Sequence, residues 1–368
     1  MRVHVDQRHE QLLELVRQRG SVRVAELAEA LGVSAVTLRR DVEALASQGR
    51  VRRMHGAVIW PGDRPAPAAG RAPRSADGLV VGMVVPTTHY YYADVVRGAR
   101  EAVEAQGARL AIGISQYLPD EDAAQVERLV SAGIDGLLLT PNWETGAALD
   151  DEGGWVADVP VPTVLVERWA PPGHPADALD RVRSDHGHGA ADAVRHLASL
   201  GHRKVALAIQ ESPTGRDLRL GFESAVATLG LDRAPASPLD SEPSAGEADR
   251  FDRTLDYLCE VVEQDGVTAV LVHSDADAIV LVPRLQARGV RVPEDLAVVA
   301  YLDEVASLSD LPLTAVAPAT RAVGAKAAEI LLAGLVEERA GARQHTDLLP
   351  ELRVRASCGA EQSEQSER

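Results

Sequence analysis

Between Ser21 and Gly56 the chain spaces small, apolar and basic residues so that two short helices would meet and leave the second with a polar face. Ala28 is small where the helices must approach, Gly32 falls at a turn where positive φ is cheap for glycine, and Leu38 lies on the second helix's buried side. Ser34 stands where it would cap that helix. With it, Ala35, Val36, Thr37, Arg39 and Arg40 form the first turns, whose hydroxyl and guanidinium groups could bond to DNA base edges and phosphates. Arg50, Arg52, Arg53 and His55 follow and are expected to meet phosphate rather than bases. The ordinary alternative for Arg39 and Arg40 is a solvated helix face.

These residues need a small scaffold. Leu12, Leu13, Leu15 and Val16 predict a helix over 7–18, Gly20 ends it, a second runs from Val24 to Leu31, and a third from Ala35 to Ser47. Gly49 releases the chain into a partly alternating stretch to Ile59, as in a short β-wing, so residues 1–60 read as a winged helix-turn-helix. From Pro61 to Asp77 the composition turns to Pro, Ala, Gly and Arg without periodicity, which predicts a semi-extended linker.

The net charge of −17 looks wrong for a DNA-binding chain until it is divided. Residues 1–77 hold 13 Arg against 9 acids, whereas the remainder carries 25 basic and 46 acidic groups, so the positive field is confined to the N-terminal module. Cys259 and Cys358 are the only cysteines, too far apart for a zinc motif, and they suggest neither a disulfide framework nor a metal. No run of 18 apolar residues could span a bilayer, and Met1 to Glu10 lacks the apolar stretch of a secretory signal. A cytoplasmic protein without cofactor, metal or membrane partner is the expectation.

Beyond the linker, apolar runs at 79–85, 110–114, 136–140 and 161–166 alternate with helical patterns, and a second such series follows from Gly187 to Tyr301. Repeated βα units predict an α/β fold with two doubly wound parallel-sheet lobes. Ligands of such sheets bind beyond the carboxyl ends of the strands, so two facing lobes would enclose a cleft.

The first 59 residues resemble the winged helix of DeoR-type bacterial regulators through Glu26-Leu27-Ala28, Leu31-Gly32-Val33-Ser34, Thr37-Leu38-Arg39-Arg40-Asp41 and Arg53-Met54-His55-Gly56, with Ala57 where that family usually has glycine. Residues 78–356 instead resemble the LacI/GalR effector domain, itself similar to periplasmic sugar-binding proteins. The signatures are Asp185-His186-Gly187-His188-Gly189-Ala190, His196 to Ala206, Gly221-Phe222, Gly289 to Tyr301 and Pro312 to Val316. The resemblance implies lobe 1 over about 78–183 and 317–342, lobe 2 over about 184–312 and 346–356, and a polar tail over 357–368. It also implies chain crossings near 182–186, 311–318 and 340–350. The implied function is a DNA-binding transcriptional regulator, a repressor acting as a homodimer or tetramer on operator DNA under control of a small effector, first of all a sugar. An activator, a nucleobase or nucleoside ligand, and a sugar- or nucleotide-processing enzyme with a DNA-binding appendage are the alternatives.

Several residues are candidates for the effector. Tyr90, Tyr91 and Tyr92 follow His89 after the first sensor strand, and their rings could stack on a sugar or pack in the core. Glu167 and Arg168 end a strand where similar sugar binders often carry Asp-Arg, so they could clamp vicinal hydroxyls or join the lobes. Trp143 is a further stacking candidate. The family's helix Arg falls here at Leu218, leaving Arg216 or Arg219 for the role, while Ser274 stands where Asn is common and Leu302, followed by Asp303, where Asp is. Asp275 is expected to cap the next helix, and Asp185-His186-Gly187-His188 to be structural rather than a metal site.

Overall fold

The computed structural model describes residues 5–19, 21–47, 50–54, 57–59, 75–143, 151–209, 212–237, 247–337 and 342–360. The linker expected at 61–77 falls outside them up to residue 74, as do His55 and residues 361–368.

The N-terminal module runs α1 (Val5–Arg19), β1 (Ser21–Arg23), α2 (Val24–Ala30), α3 (Ala35–Ser47), β2 (Arg52–Met54) and β3 (Ala57–Ile59). Its three strands form a small antiparallel sheet in the order β1-β3-β2. Leu12, Val16, Leu27, Leu38, Val42, Leu45 and Val58 make one core, the packing that the helical spacing of these residues requires.

The body continues with β4 (Val80–Val85), α4 (Tyr91–Glu104), β5 (Arg109–Ile114), α5 (Pro119–Ser131), β6 (Gly136–Leu139), β7 (Thr163–Val166) and β8 (Asp180–Ser184). Then follow α6 (His186–Ser199), β9 (Lys204–Ile209), α7 (Gly215–Thr228), β10 (Asp232–Arg233), α8 (Glu247–Asp265), β11 (Ala269–His273), α9 (Asp275–Ala287) and β12 (Ala297–Tyr301). The chain closes with β13 (Thr314–Ala317), α10 (Thr320–Val336), β14 (His345–Leu348) and β15 (Glu351–Arg353).

Two sheets of six strands define the lobes, ordered β14-β8-β7-β6-β4-β5 in lobe 1 and β10-β9-β11-β12-β13-β15 in lobe 2. All pairings are parallel except that of β13 with β15. Each strand feeds two cores by its period of two: Val81, Met83 and Val85 face α4 and α10, while Val84 faces α5. In lobe 2, Leu271 packs with α6 and α7, and Val270 and Val272 with α8 and α9.

The chain crosses between lobes from β8 to α6, from β13 to α10 and from β14 to β15. Two expected boundaries are corrected. Residues 346–348 belong to lobe 1, because β14 pairs with β8 from His345↔Arg181 to Leu348↔Ser184. Residues 357 and 358 are not tail: Ser357 is fully buried, donating to Val298 O at 2.6 Å and accepting from Thr314 N at 2.9 Å.

Gly187 and Gly221 bring α6 and α7 into backbone contact. A Cβ built on Gly221 would collide with the Gly187 backbone, so only glycine allows this approach beside the first crossing.

Candidate DNA interface and ligand cavity

Ser34 caps α3, its hydroxyl accepting from Thr37 N at 3.2 Å and standing 2.9 Å from the Thr37 hydroxyl. Leu38 is fully buried, and Arg40 and Arg50 are exposed. The side chains of Ala35, Val36, Arg39, Arg52 and Arg53 are outside what the structure describes. Behind the exposed face, Asp41 ties α3 to α1, accepting from Arg8 Nη2 at 2.9 Å and lying 3.1 Å from His9 Nε2. Burial alone would raise the Asp41 pKa, but the bonds from Arg8 and His9 outweigh it and hold the carboxyl below its ordinary value.

A cavity of about 190 Å³ lies between the lobes at the strand ends. Tyr90, Tyr91 and Tyr92 line it from the start of α4, Tyr117 from the loop after β5, Arg168 from the end of β7, and His273 and Ser274 from the end of β11. His186, Ser212, Pro213, Thr214 and Leu302 complete the wall. Backbone strain concentrates here. Of the five non-glycine residues with positive φ among the described residues, Tyr90 (54°), Tyr117 (59°) and Leu302 (81°) line the cavity, and Glu167 (56°) precedes its Arg168.

Thus five of the expected ligand contacts, Tyr90, Tyr91, Tyr92, Arg168 and Ser274, meet on one cavity. The others do not. Glu167 is buried beside it with both oxygens engaged: Oε1 accepts from the Tyr91 hydroxyl at 2.6 Å and the Ser184 hydroxyl at 3.0 Å, and Oε2 from Ser184 N at 2.9 Å. Burial works to raise the Glu167 pKa, yet His186, Tyr91 and Ser184 prevail and lower it. Of the expected Glu167–Arg168 clamp, Arg168 lines the cavity while the Glu167 carboxylate is engaged beside it at the hinge.

His89 is exposed and outside the cavity wall. Trp143 is half-buried against His174 with ring centroids 6.0 Å apart. Arg216 is exposed, and Arg219 lies in a separate groove with Phe222 and Glu223. The residue of that helix reaching the other lobe is Asp217, which accepts from Arg183 Nη1 at 2.8 Å and Trp169 Nε1 at 3.3 Å. Asp303 is held by Arg355 Nη1 at 2.7 Å and Arg353 Nη1 at 2.8 Å, and lies with Tyr91 in an adjoining pocket rather than in the wall of this cavity.

Asp275 departs from its expected capping role. Ser274 is the N-cap of α9, and the fully buried Asp275 accepts from the Tyr90 hydroxyl with one oxygen and from Val305 N at 2.7 Å with the other. Asp185 does cap α6, accepting from His188 N at 2.9 Å. His186 is buried, with Nδ1 2.8 Å from the Tyr301 hydroxyl and Nε2 3.6 Å from Glu167 Oε2, so the Asp185-His186-Gly187-His188 run serves the hinge. Among the described residues no group of three His, Cys, Asp or Glu is placed to hold a metal.

Tyr117, His273 and the Ser212-Pro213-Thr214 loop were not singled out from the sequence. The rule that ligands sit past the carboxyl ends of parallel strands could have found Tyr117 after β5 and His273 at the end of β11.

An aromatic cavity between two doubly wound lobes, joined by three crossings and preceded by a winged helix, defines a ligand-responsive DNA-binding regulator. Residues 8–62 match the DeoR-like helix-turn-helix domain, and residues 194–358 the periplasmic binding protein-like domain. The HTH-type transcriptional repressor PurR of Haemophilus influenzae (strain PittEE) is 28% identical over 288 residues, covering 75% of this chain and 80% of the relative. A LacI family transcriptional regulator from Mycobacterium smegmatis superposes with a TM-score of 0.60 at 29% identity, over 75% of this chain and 98% of that one. The structure of the transcriptional regulator CelR in complex with cellobiose shares the fold, with a TM-score of 0.61 at 24% identity over 91% of this chain and 98% of that one. The chain is a transcriptional regulator with a DeoR-like DNA reader and a periplasmic-binding-protein-like sensor similar to that of LacI family regulators, and the relatives named above are transcriptional regulators rather than enzymes.

Proposed function

We propose that the chain is a repressor whose paired winged helices hold a repeated operator and whose grip is set by a small molecule in the interlobe cavity. The observation that carries this is the cavity itself: its wall draws on both lobes, so occupancy and lobe geometry are linked. The name of the PurR relative supports repression over activation.

A second copy of the chain is supported by the edge of lobe 1. Strand β5 ends the sheet and exposes Ile112 and Ile114 on one face, with Leu118 exposed just beyond, an apolar strip that a symmetric partner would cover. Two reading heads then gain affinity and register on two half-sites.

The effector class expected first, a sugar, retains the tyrosine rings as stacking surfaces but loses the Glu167 half of its clamp. Selection of duplexes from a random pool by the full chain, followed by sedimentation of the complex, tests the reading. A repeated motif bound by two chains is expected. Recovery of no preferred sequence would remove the repressor function.

A further inference from the structure

We propose that the molecule recognised in the interlobe cavity is a small monocarboxylate, its acid group paired with Arg168 and its apolar body lying among the tyrosine rings. This rests on the cavity being the regulatory site and names what that site selects.

Arg168 is 1% exposed and lines the cavity. Its Nη1 donates to Glu167 O at 2.8 Å, its side chain also bonds to Tyr92 and feels the buried Asp122 carboxylate, yet its Nε is buried without a hydrogen-bond partner and it makes no ion pair among the described residues. The neighbouring carboxylate of Glu167 is engaged by Tyr91 and Ser184. A guanidinium stays charged in a protein, and burying one with an unpartnered nitrogen and no carboxylate in ion-pair contact is unfavourable. An acid group accepting the planar fork resolves it, with the geometry that arginine matches best.

The charge count selects the acid. One guanidinium balances one negative charge, whereas a phosphate monoester brings close to two at neutral pH, about −1.5 to −2, and would leave the surplus beside the buried Glu167. The rest of the wall describes the body. Tyr90, Tyr91, Tyr92 and Tyr117 offer ring faces, Pro213 and Leu302 add apolar surface, and about 190 Å³ is the space of roughly six waters, enough for a single-ring acid. His273 adds one polar demand: its Nδ1 is buried and unpartnered, so a hydroxyl or amine on the ligand would complete it.

The test is thermal shift and calorimetry on the full chain with benzoate, para-hydroxybenzoate and galacturonate, against their amides, galactose, galactose phosphate and hypoxanthine. At least one carboxylate is expected to raise the melting temperature while its amide does not. Arg168→Met should weaken that carboxylate by about thirtyfold or more, while the unliganded melting temperature is kept or raised because an unpaired buried charge is gone. Arg168→Lys, which keeps the charge and loses the fork, should fall between. Silence of every carboxylate, preference for a neutral compound or the phosphate, or an acid indifferent to both Arg168 variants overturns the proposal. DNA is absent from these measurements, so their outcome is independent of whether the repressor reading holds.

Discussion

The hydroxyl of Tyr90 in lobe 1 donates to the carboxylate of Asp275 in lobe 2, so a hydrogen bond ties the lobes at the cavity they share. Burial and the adjacent Asp275 push the Tyr90 hydroxyl's pKa far up, which keeps it a donor throughout the physiological range. The two residues are 185 positions apart, and Asp217 adds ties elsewhere between the lobes through Arg183 and Trp169.

Removing that hydroxyl should loosen closure without unfolding either lobe. Tyr90→Phe is expected to lose about 1–2 kcal/mol in denaturant unfolding and to widen the unliganded sensor by small-angle scattering. Asp275→Ala should lose more, since the Val305 and Ala306 amides lose their acceptor as well. Equal stability and unchanged dimensions in Tyr90→Phe would mean that the bond ties nothing.

Glu167 is a hinge residue, and its substitution should read as one. Glu167→Gln cannot accept from Tyr91, Ser184 and His186 together as the carboxylate does, so a loss of about 2–3 kcal/mol is expected, irrespective of any ligand. Equilibrium unfolding checks this. A variant as stable as the parent but blind to ligand would return Glu167 to direct recognition.

Much of this was legible in the sequence because periodicity and strand-end position are local signals. The Leu12, Leu38 and Leu45 spacing, the six-residue apolar run of β4 and the tyrosine cluster after it all sit where the pattern places them. Strand β8 did not stand out, because Asp180, Arg181 and Arg183 interrupt it. Each is paired across the sheet or cleft, Arg183 to Asp347 at 3.0 Å and Asp180 to Arg343 at 3.0 Å, so its charges are internal to the fold. The fates of Glu167 and Asp303 were illegible for a related reason. A carboxylate at a strand end looks free until partners distant in the chain, Ser184 or Arg355, are seen to occupy it.

His273 gives the sensor a defined acid sensitivity. Burial, assisted by the nearby His186, lowers its pKa from 6.5 to about 4. The unfolded chain therefore binds a proton between those values that the folded chain refuses. The stability contributed by neutral His273 is complete above pH 6.5 and is lost progressively as the pH falls toward 4, by about 3 kcal/mol. Urea unfolding from pH 7 to 4 should show a steeper decline in the parent than in His273→Gln. Parallel curves would place the titration elsewhere.

Gly221 should tolerate no side chain. Gly221→Ala places a methyl group on the Gly187 backbone and must force α6 and α7 apart, with an expected loss of about 1–3 kcal/mol. Gly334→Ala in α10, where a Cβ would meet nothing and the backbone is not left-handed, controls for proximity. Equal losses in the two variants would deny the close helix approach.

If cavity and DNA reader form one coupled switch, filling the cavity must change the grip on DNA. Fluorescence anisotropy of a duplex selected by the full chain, titrated with and without the carboxylate that stabilises it most, measures that coupling directly. The expected shift in DNA affinity is about 5–150-fold, and Arg40→Ala, which removes an exposed guanidinium of α3, should weaken DNA binding in both titrations and leave the ratio intact. Identical DNA affinities at saturating and zero ligand would contradict the account.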